Sequence, residues 1–168
     1  AFLKWVGVVL AGLPTLVLAL VFVVALIGLY KLNAPHNNPV ADVKVAGTPE
    51  QLARGGRLAA GCAGCHSTTH HPPLDGGNDN FFAGGPPLGA VYGPNLTPAG
   101  DLQNWSDGEI IRAIREGVDK NGQPLLIMPS AGLHNLSDAD VQSIVAFLRS
   151  QPAVKHDVPA PPRGRWRV

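Results

Sequence analysis

The spacing of apolar residues divides the chain into unlike parts. Residues 6–30, from Val6 to Tyr30, hold no charged side chain and lie between Lys4 and Lys31. A helix over that run, at ~1.5 Å per residue, would measure about 37 Å, enough for a hydrocarbon core of ~30 Å. A secretory signal peptide competes for this stretch. Its apolar core usually covers only ~7–15 residues, and no small-residue cleavage site stands out after Tyr30. The pattern predicts a retained transmembrane anchor over residues 1–31 in contact with membrane lipid, with a cleaved signal or a buried core helix as the alternatives. Pro14 is expected to kink or loosen the helix, leaving a carbonyl for Thr15 or a neighbouring helix to satisfy. Gly7 and Ala11 offer a weak small-residue packing face. One lysine on each side gives no topological bias.

Residues 32–47 show no helical period and contain Pro35, Pro39 and Gly47, which predicts an extended linker reaching up to about 50 Å. Thr48-Pro49-Glu50 then has the grammar of a helix start, for a helix running to about Ala60. Ser106-Asp-Gly-Glu109 reads as a capping box ahead of Ile110, Ile111, Ile114 and Val118 on one face. Ser137-Asp-Ala-Asp140 opens a last helix with Val141, Ile144, Val145 and Leu148 at helical offsets. The Gly/Pro-rich stretch 67–104 cannot be one helix, and a loop that long is expected to be functional or wrapped around something. No internal repeat is visible. Three short helices offer little apolar surface against the chain entropy of about a hundred residues, so something besides side chains is expected at the centre.

Composition narrows the function classes. The 168 residues carry 13 basic and 12 acidic side chains, a net charge of +1. That near balance argues against nucleic acid as a partner. Charged residues make up 15%, which fits a chain with a membrane segment. Two cysteines cannot build a multi-bridge disulfide scaffold. Lys155, Arg163, Arg165 and Arg167 make the Pro/Arg-rich tail, residues 151–168, basic, with Trp166 among the arginines. The preceding domain is acidic. The tail reads either as an arm for an acidic neighbour or an anionic lipid surface, or as a disordered solubilising end.

The chemistry is concentrated in Cys62-Ala-Gly-Cys65-His66. Cys-x-x-Cys-His is the attachment motif of c-type haem: each thiol adds to one vinyl group, and the adjacent imidazole meets the iron. Three other readings compete. A thioredoxin-type pair needs a strand–helix setting, a zinc site needs a second ligand pair, and a Cys62–Cys65 disulfide leaves the histidine unexplained. Met128, the single methionine, precedes Pro129 between the second and third predicted helices. A histidine on one face of the iron and a thioether on the other make a six-coordinate electron-transfer centre. The alternatives are an ordinary core methionine, or a second histidine ligand: His134, with His70 and His71 less well placed.

With Gly93-Pro-Asn-Leu-Thr-Pro98, Trp105-Ser-Asp-Gly-Glu109, Met128-Pro129 and Leu136-Ser-Asp-Ala-Asp140, the stretch of about residues 48–152 resembles a class I cytochrome c domain. It is similar to the monohaem modules of membrane-bound bacterial dehydrogenases and related respiratory cytochromes. The resemblance implies a mainly α fold: one N-terminal transmembrane helix, then a haem domain over residues 48–150 with a long Gly/Pro-rich loop. It implies one covalent haem c, with His66 and Met128 on the iron and the Pro94 carbonyl accepting from His66 Nδ1. Asn95, Thr97 and Trp105 are implied propionate contacts. The first and last helices of the domain would cross at Gly55 or Gly56 against Phe147. The 67–93 stretch, with Phe81 and Phe82, exceeds a minimal cytochrome and reads either as a partner contact or as a solvent loop.

An iron closed by His66 and Met128 moves single electrons and leaves no position for bond chemistry, so the chain is expected to be an electron-transfer protein and not an enzyme. Haem attachment outside the cytoplasm implies an inner-membrane, single-pass chain with a cytoplasmic N-terminus and a periplasmic haem domain. Its expected partners are redox proteins and other subunits of a respiratory or photosynthetic complex, for example a quinol-oxidising assembly of the alternative complex III type. A free membrane-tethered shuttle, a sensor or enzyme with open iron, and a haem-free anchor are the other readings.

Overall fold

The computed structural model describes residues 2–85 and 90–159, with the side chains of residues 3–11 and 32 left aside. The Gly7/Ala11 face and the arginines of the tail therefore lie outside the described residues or side chains. The chain forms two compact units, residues 1–35 and residues 36–168. The first is one helix, α1, Phe2–Asn33, which runs through Pro14. Its Gly12–Lys31 portion is long and apolar enough to cross a membrane. Leu16, Phe22 and Leu29 stand 69%, 64% and 58% exposed, a pattern that suits lipid contact better than the core of a soluble domain.

The second unit is helical, and no strand occurs among the described residues beyond one isolated bridge between Val118 and Pro124. Its first helix, α2, Pro49–Leu58, starts where Thr48 Oγ1 accepts from Gln51 N while the Gln51 side chain accepts from Thr48 N. It tightens into a 3₁₀ turn, Ala59–Cys62, and one α-turn, α3, Ala63–His66, so the cysteine motif sits at the end of a nearly continuous helical run. After the long loop come a 3₁₀ turn at Asp101–Asn104 and α4, Asp107–Glu116, opened by the expected Ser106/Glu109 capping box. Gly117 ends α4 in the left-handed conformation. A single turn, α5, Ser130–Leu133, and the last helix, α6, Asp138–Ser150, complete the unit.

α2 packs on α6. A β-carbon at Gly55 would lie 1.9 Å from the Ser143 carbonyl oxygen and 2.9 Å from Phe147 Cβ, so only glycine permits this crossing. Gly56 also meets the Phe147 ring, and both expected contacts are present. Arg54 and Asp140 pair across the same two helices at 2.5 Å. The apolar faces read from the sequence are the buried ones: Ile110, Ile111 and Ile114 from α4 meet Val141, Ile144, Val145 and Leu148 from α6.

The stretch before α2 is extended, as expected, but residues 36–47 are a docked strap and not a free tether. His36 N donates to Gly122 O at 2.7 Å, the Asn38 side chain to Glu116, and Val45 N to Asp107 Oδ2 at 2.9 Å. The Ala41 carbonyl lies against Gly108, and Val43 and Val45 pack on the core. Proline and glycine made the segment non-helical. Its hydrogen-bond acceptors are one backbone carbonyl and two carboxylates about sixty to ninety residues away, which local pattern does not reveal. Residues 34 and 35 are thus all that separates Asn33, the last residue of α1, from the first strap bond at His36.

Candidate functional site

One cleft of about 720 Å³, counting its open mouth, gathers most of the residues singled out in the sequence. Cys65, His66, Pro94, Trp105 and Met128 all line it, and the rest of the wall is mostly apolar, including Leu96, Ile110, Ile114 and Leu148. This is the centre that the small side-chain core could not fill.

The cysteine motif is set by backbone packing. The segment around Gly93 passes so close to the motif that a β-carbon there would lie 1.9 Å from the Cys65 carbonyl oxygen. Next in sequence, the Pro94 carbonyl accepts a hydrogen bond from His66 Nδ1 at 2.9 Å, the bond expected from the sequence. Loop residues 74–77 hold this arrangement from the other side: Gly76 N donates to His66 O, Gly77 N to Gly93 O and Leu96 N to Leu74 O. Removal from water lowers the His66 pKa, with the Pro94 bond opposing. Because a carbonyl can only accept, the ring carries a proton on Nδ1, which leaves Nε2 as the nitrogen that can offer a lone pair. Burial raises the Cys62 thiol, and the adjacent Cys65 raises it further. Cys62 packs against the core and Cys65 is exposed; the two are not joined to each other.

Met128 packs against the core and lines the cleft. His70, His71 and His134 are exposed and do not line it; His134 donates instead to the Arg115 carbonyl at 3.2 Å. Among the described residues no group of three or more His, Cys, Asp or Glu side chains could hold a metal ion. Of the four residues expected at the cofactor's periphery, Pro94 and Trp105 line the cleft and Asn95 and Thr97 do not. Asn95 Oδ1 accepts from Thr97 N and Oγ1, and Asn95 Nδ2 donates to Val154 O at 2.9 Å. Both are 6% exposed or less, and their polar atoms tie the chain after α6 to the loop. A short polar motif read from sequence carries no sign of which way its side chains turn.

Two features go beyond the sequence reading, which placed Phe81 only in a loop expected to contact a partner or face solvent. Phe81, from the long loop, lines the cleft; Asn80 Oδ1 accepts from Phe82 N and Val91 N and closes the loop's base around it. Phe81 makes the loop part of the cleft wall, and an aromatic residue inside a glycine-rich stretch was the available signal. Arg149 on α6 donates to Asp107 Oδ1 at 3.0 Å, to Leu102 O at 2.7 Å and to Trp105 O, fixing the turn that carries Trp105. Nothing local in the sequence marks it.

The apolar wall suits a macrocycle face, and the thiols and imidazole sit at one end of a helical run, as thioether attachment needs. The family model described as Cytochrome c matches residues 52–152. The chain is 35% identical over 149 residues to a subunit of the nicotinate dehydrogenase of Pseudomonas putida, covering 81% of this chain and 12% of that protein. It is 30% identical over 129 residues to the fructose dehydrogenase cytochrome subunit of Gluconobacter japonicus, covering 66% of this chain and 25% of that one. The chain thus spans about an eighth and a quarter of these relatives' lengths. With that match over more than half its length, and with the cysteines spaced for covalent haem c, the chain belongs to the cytochrome c family.

Proposed function

We propose that this chain carries single electrons within a membrane-bound complex, through a haem c joined to Cys62 and Cys65 and ligated by His66 and Met128. The observation that carries this reading is the presence of Cys65, His66 and Met128 on one apolar cleft, with His66 Nδ1 committed to Pro94 O. The haem supplies reversible one-electron chemistry between ferric and ferrous iron. His66 offers Nε2 because its other nitrogen is occupied, and the carbonyl partner raises its donor strength. Met128 offers a thioether, which favours the ferrous state. Ile110, Ile114, Leu148 and Phe81 exclude water from the cleft, which also raises the potential. With His66 and Met128 both available to hold the iron, the group would carry electrons and leave no side for substrate chemistry on this chain. Trp105 and Pro94 remain in the proposed cofactor contacts; Asn95 and Thr97 do not.

The relatives' names favour a dehydrogenase as the source of electrons, ahead of the quinol-oxidising assembly considered from the sequence. The docked strap supports a fixed subunit over a shuttle swinging on a long tether, because residues 36–47 are bonded to the haem domain and are not free linker. Covalent haem c implies attachment on the periplasmic side of the inner membrane, with α1 as the span and the N-terminus in the cytoplasm.

Met128→Ala in the full chain is expected to abolish the ferric thioether-to-iron charge-transfer band, lower the reduction potential and let the ferrous protein bind carbon monoxide readily. An unchanged spectrum in that variant would refute the ligand assignment. Haem that remains on the denatured chain through acid extraction tests the thioether links in the same preparation.

A further inference from the structure

Arg112 is an unusual residue to find inside this fold. It lies on the buried side of α4 among Ile111, Ala113 and Ile114, and is itself 7% exposed. A buried guanidinium must find acceptors, since taking it out of water is costly unless hydrogen bonds replace the lost hydration. Arg112 finds two, both backbone carbonyls, one 74 residues away and the other seven, and its Nε takes no hydrogen-bond partner. One amino group donates to Asn38 O at 3.0 Å, in the strap, and the other to Asp119 O at 2.6 Å.

Asp119 belongs to a tight hairpin over residues 117–125. Asp119 N donates to Gln123 O at 2.8 Å, Gly122 N donates back to Asp119 O at 3.0 Å, and Asp119 Oδ1 accepts from Asn121 N and Gln123 N. The strap also holds this hairpin through His36 N to Gly122 O at 2.7 Å. At its base, Leu125 N donates to Gly117 O at 2.6 Å. From Leu125 the chain enters the cleft wall, which Leu125, Ile127 and Met128 share. Ser130 returns to the same place: its N donates to Met128 O at 2.8 Å, and its hydroxyl lies beside Gly117.

We infer that Arg112 is a positioning residue for Met128, a brace that clamps strap to hairpin and thereby holds the methionine-bearing segment against the cleft. The inference rests on the reading of Met128 as the iron ligand. Side-chain packing alone leaves residues 126–129 as a short loop without a ladder of its own, so its register depends on the hairpin before it. The hairpin's register depends in turn on the carbonyl that Arg112 binds. Lysine could reach one of the two carbonyls as a point donor but does not reproduce a planar fork spanning both.

The test uses the full-length, haem-loaded chain in detergent with Arg112→Gln and Arg112→Lys, and Met128→Ala beside them. Helix content and acid-resistant haem report the fold; the ferric thioether band and the rate of carbon monoxide binding to the ferrous form report the ligand. Arg112→Gln is expected to keep helix content and haem while the methionine-off population rises roughly tenfold to a hundredfold, with carbon monoxide binding faster in proportion. Arg112→Lys is expected to fall between Arg112→Gln and the parent, and it carries the test if the glutamine variant does not fold. A parental band and binding rate in a folded Arg112 variant would overturn the inference. So would loss of fold and haem in both variants, which would assign Arg112 to the domain as a whole. If Met128→Ala itself keeps the band, the ligand reading fails; if it loses the band while folded Arg112 variants keep it, only the brace fails.

Discussion

A β-carbon at position 93 would collide with the Cys65 carbonyl, a backbone atom that cannot rotate away. The conflict matters because Pro94 is next in the chain and its carbonyl holds His66 Nδ1. Gly93→Ala is therefore expected to move the Pro94 carbonyl off the ring, at a cost of about 1–3 kcal/mol for overpacking. On the proposed ligation by His66, losing that acceptor would make the imidazole a weaker donor to ferric iron, so the reduction potential should rise while the melting temperature falls. A spectroelectrochemical titration checks the sign. A lower melting temperature with an unmoved potential would mean that the His66–Pro94 bond survives the shift. His66 itself was legible from its place after Cys65, and Pro94 from resemblance. The dependence of one on the other through Gly93 was not legible, because it comes from two backbone segments meeting 28 residues apart.

Helix ends were the easiest elements to read, since a cap and its acceptor lie within four residues of each other. Thr48, Ser106 and Ser137 each open the expected helix. The one-turn α5 and the 3₁₀ turns escaped, because a single turn is too short to show a period. Pairing between helices carries its own prediction. Hydrogen bonding and charge from Arg54, helped by Ser137, hold the Asp140 carboxyl below the usual carboxylate range. A lowered folded pKa contributes stability above the unfolded value of about 4, and that contribution fades as pH falls through the folded pKa. Asp140→Asn should melt modestly lower than the parent at neutral pH, with the difference closing as the pH drops below about 4. Arg54 is 53% exposed, so the gap should also shrink in high salt. Melting curves across pH and ionic strength measure both trends. A gap independent of pH would trace the loss to the Ser137 cap and not to the ion pair.

On the scale of the chain, the strap decides how much of the sequence the haem domain needs. Pattern and composition set its start at Thr48, where helical grammar begins, and the family match opens later still, at residue 52. Both miss residues 36–47, whose alternation is too irregular to mark a buried element and whose partners, Arg112, Asp107 and Gly122, lie far along the chain. The physical expectation differs from the pattern. Without the strap, Arg112 loses the Asn38 carbonyl, Asp107 loses one of its two bonds, the Gly122 carbonyl loses its His36 donor, and Val43 and Val45 no longer cover the core. Each lost hydrogen bond is worth about 1 kcal/mol and each half-buried valine about the same, so the domain should lose on the order of 5 kcal/mol. A chain beginning at His36 and one beginning at Thr48, both exported for haem attachment, make the comparison. Urea unfolding followed by tryptophan fluorescence should give the shorter chain a clearly lower midpoint, and its smaller buried surface should lower the slope as well. Equal midpoints would return the strap to the role its composition first suggested, a tether lying on the domain without supporting it.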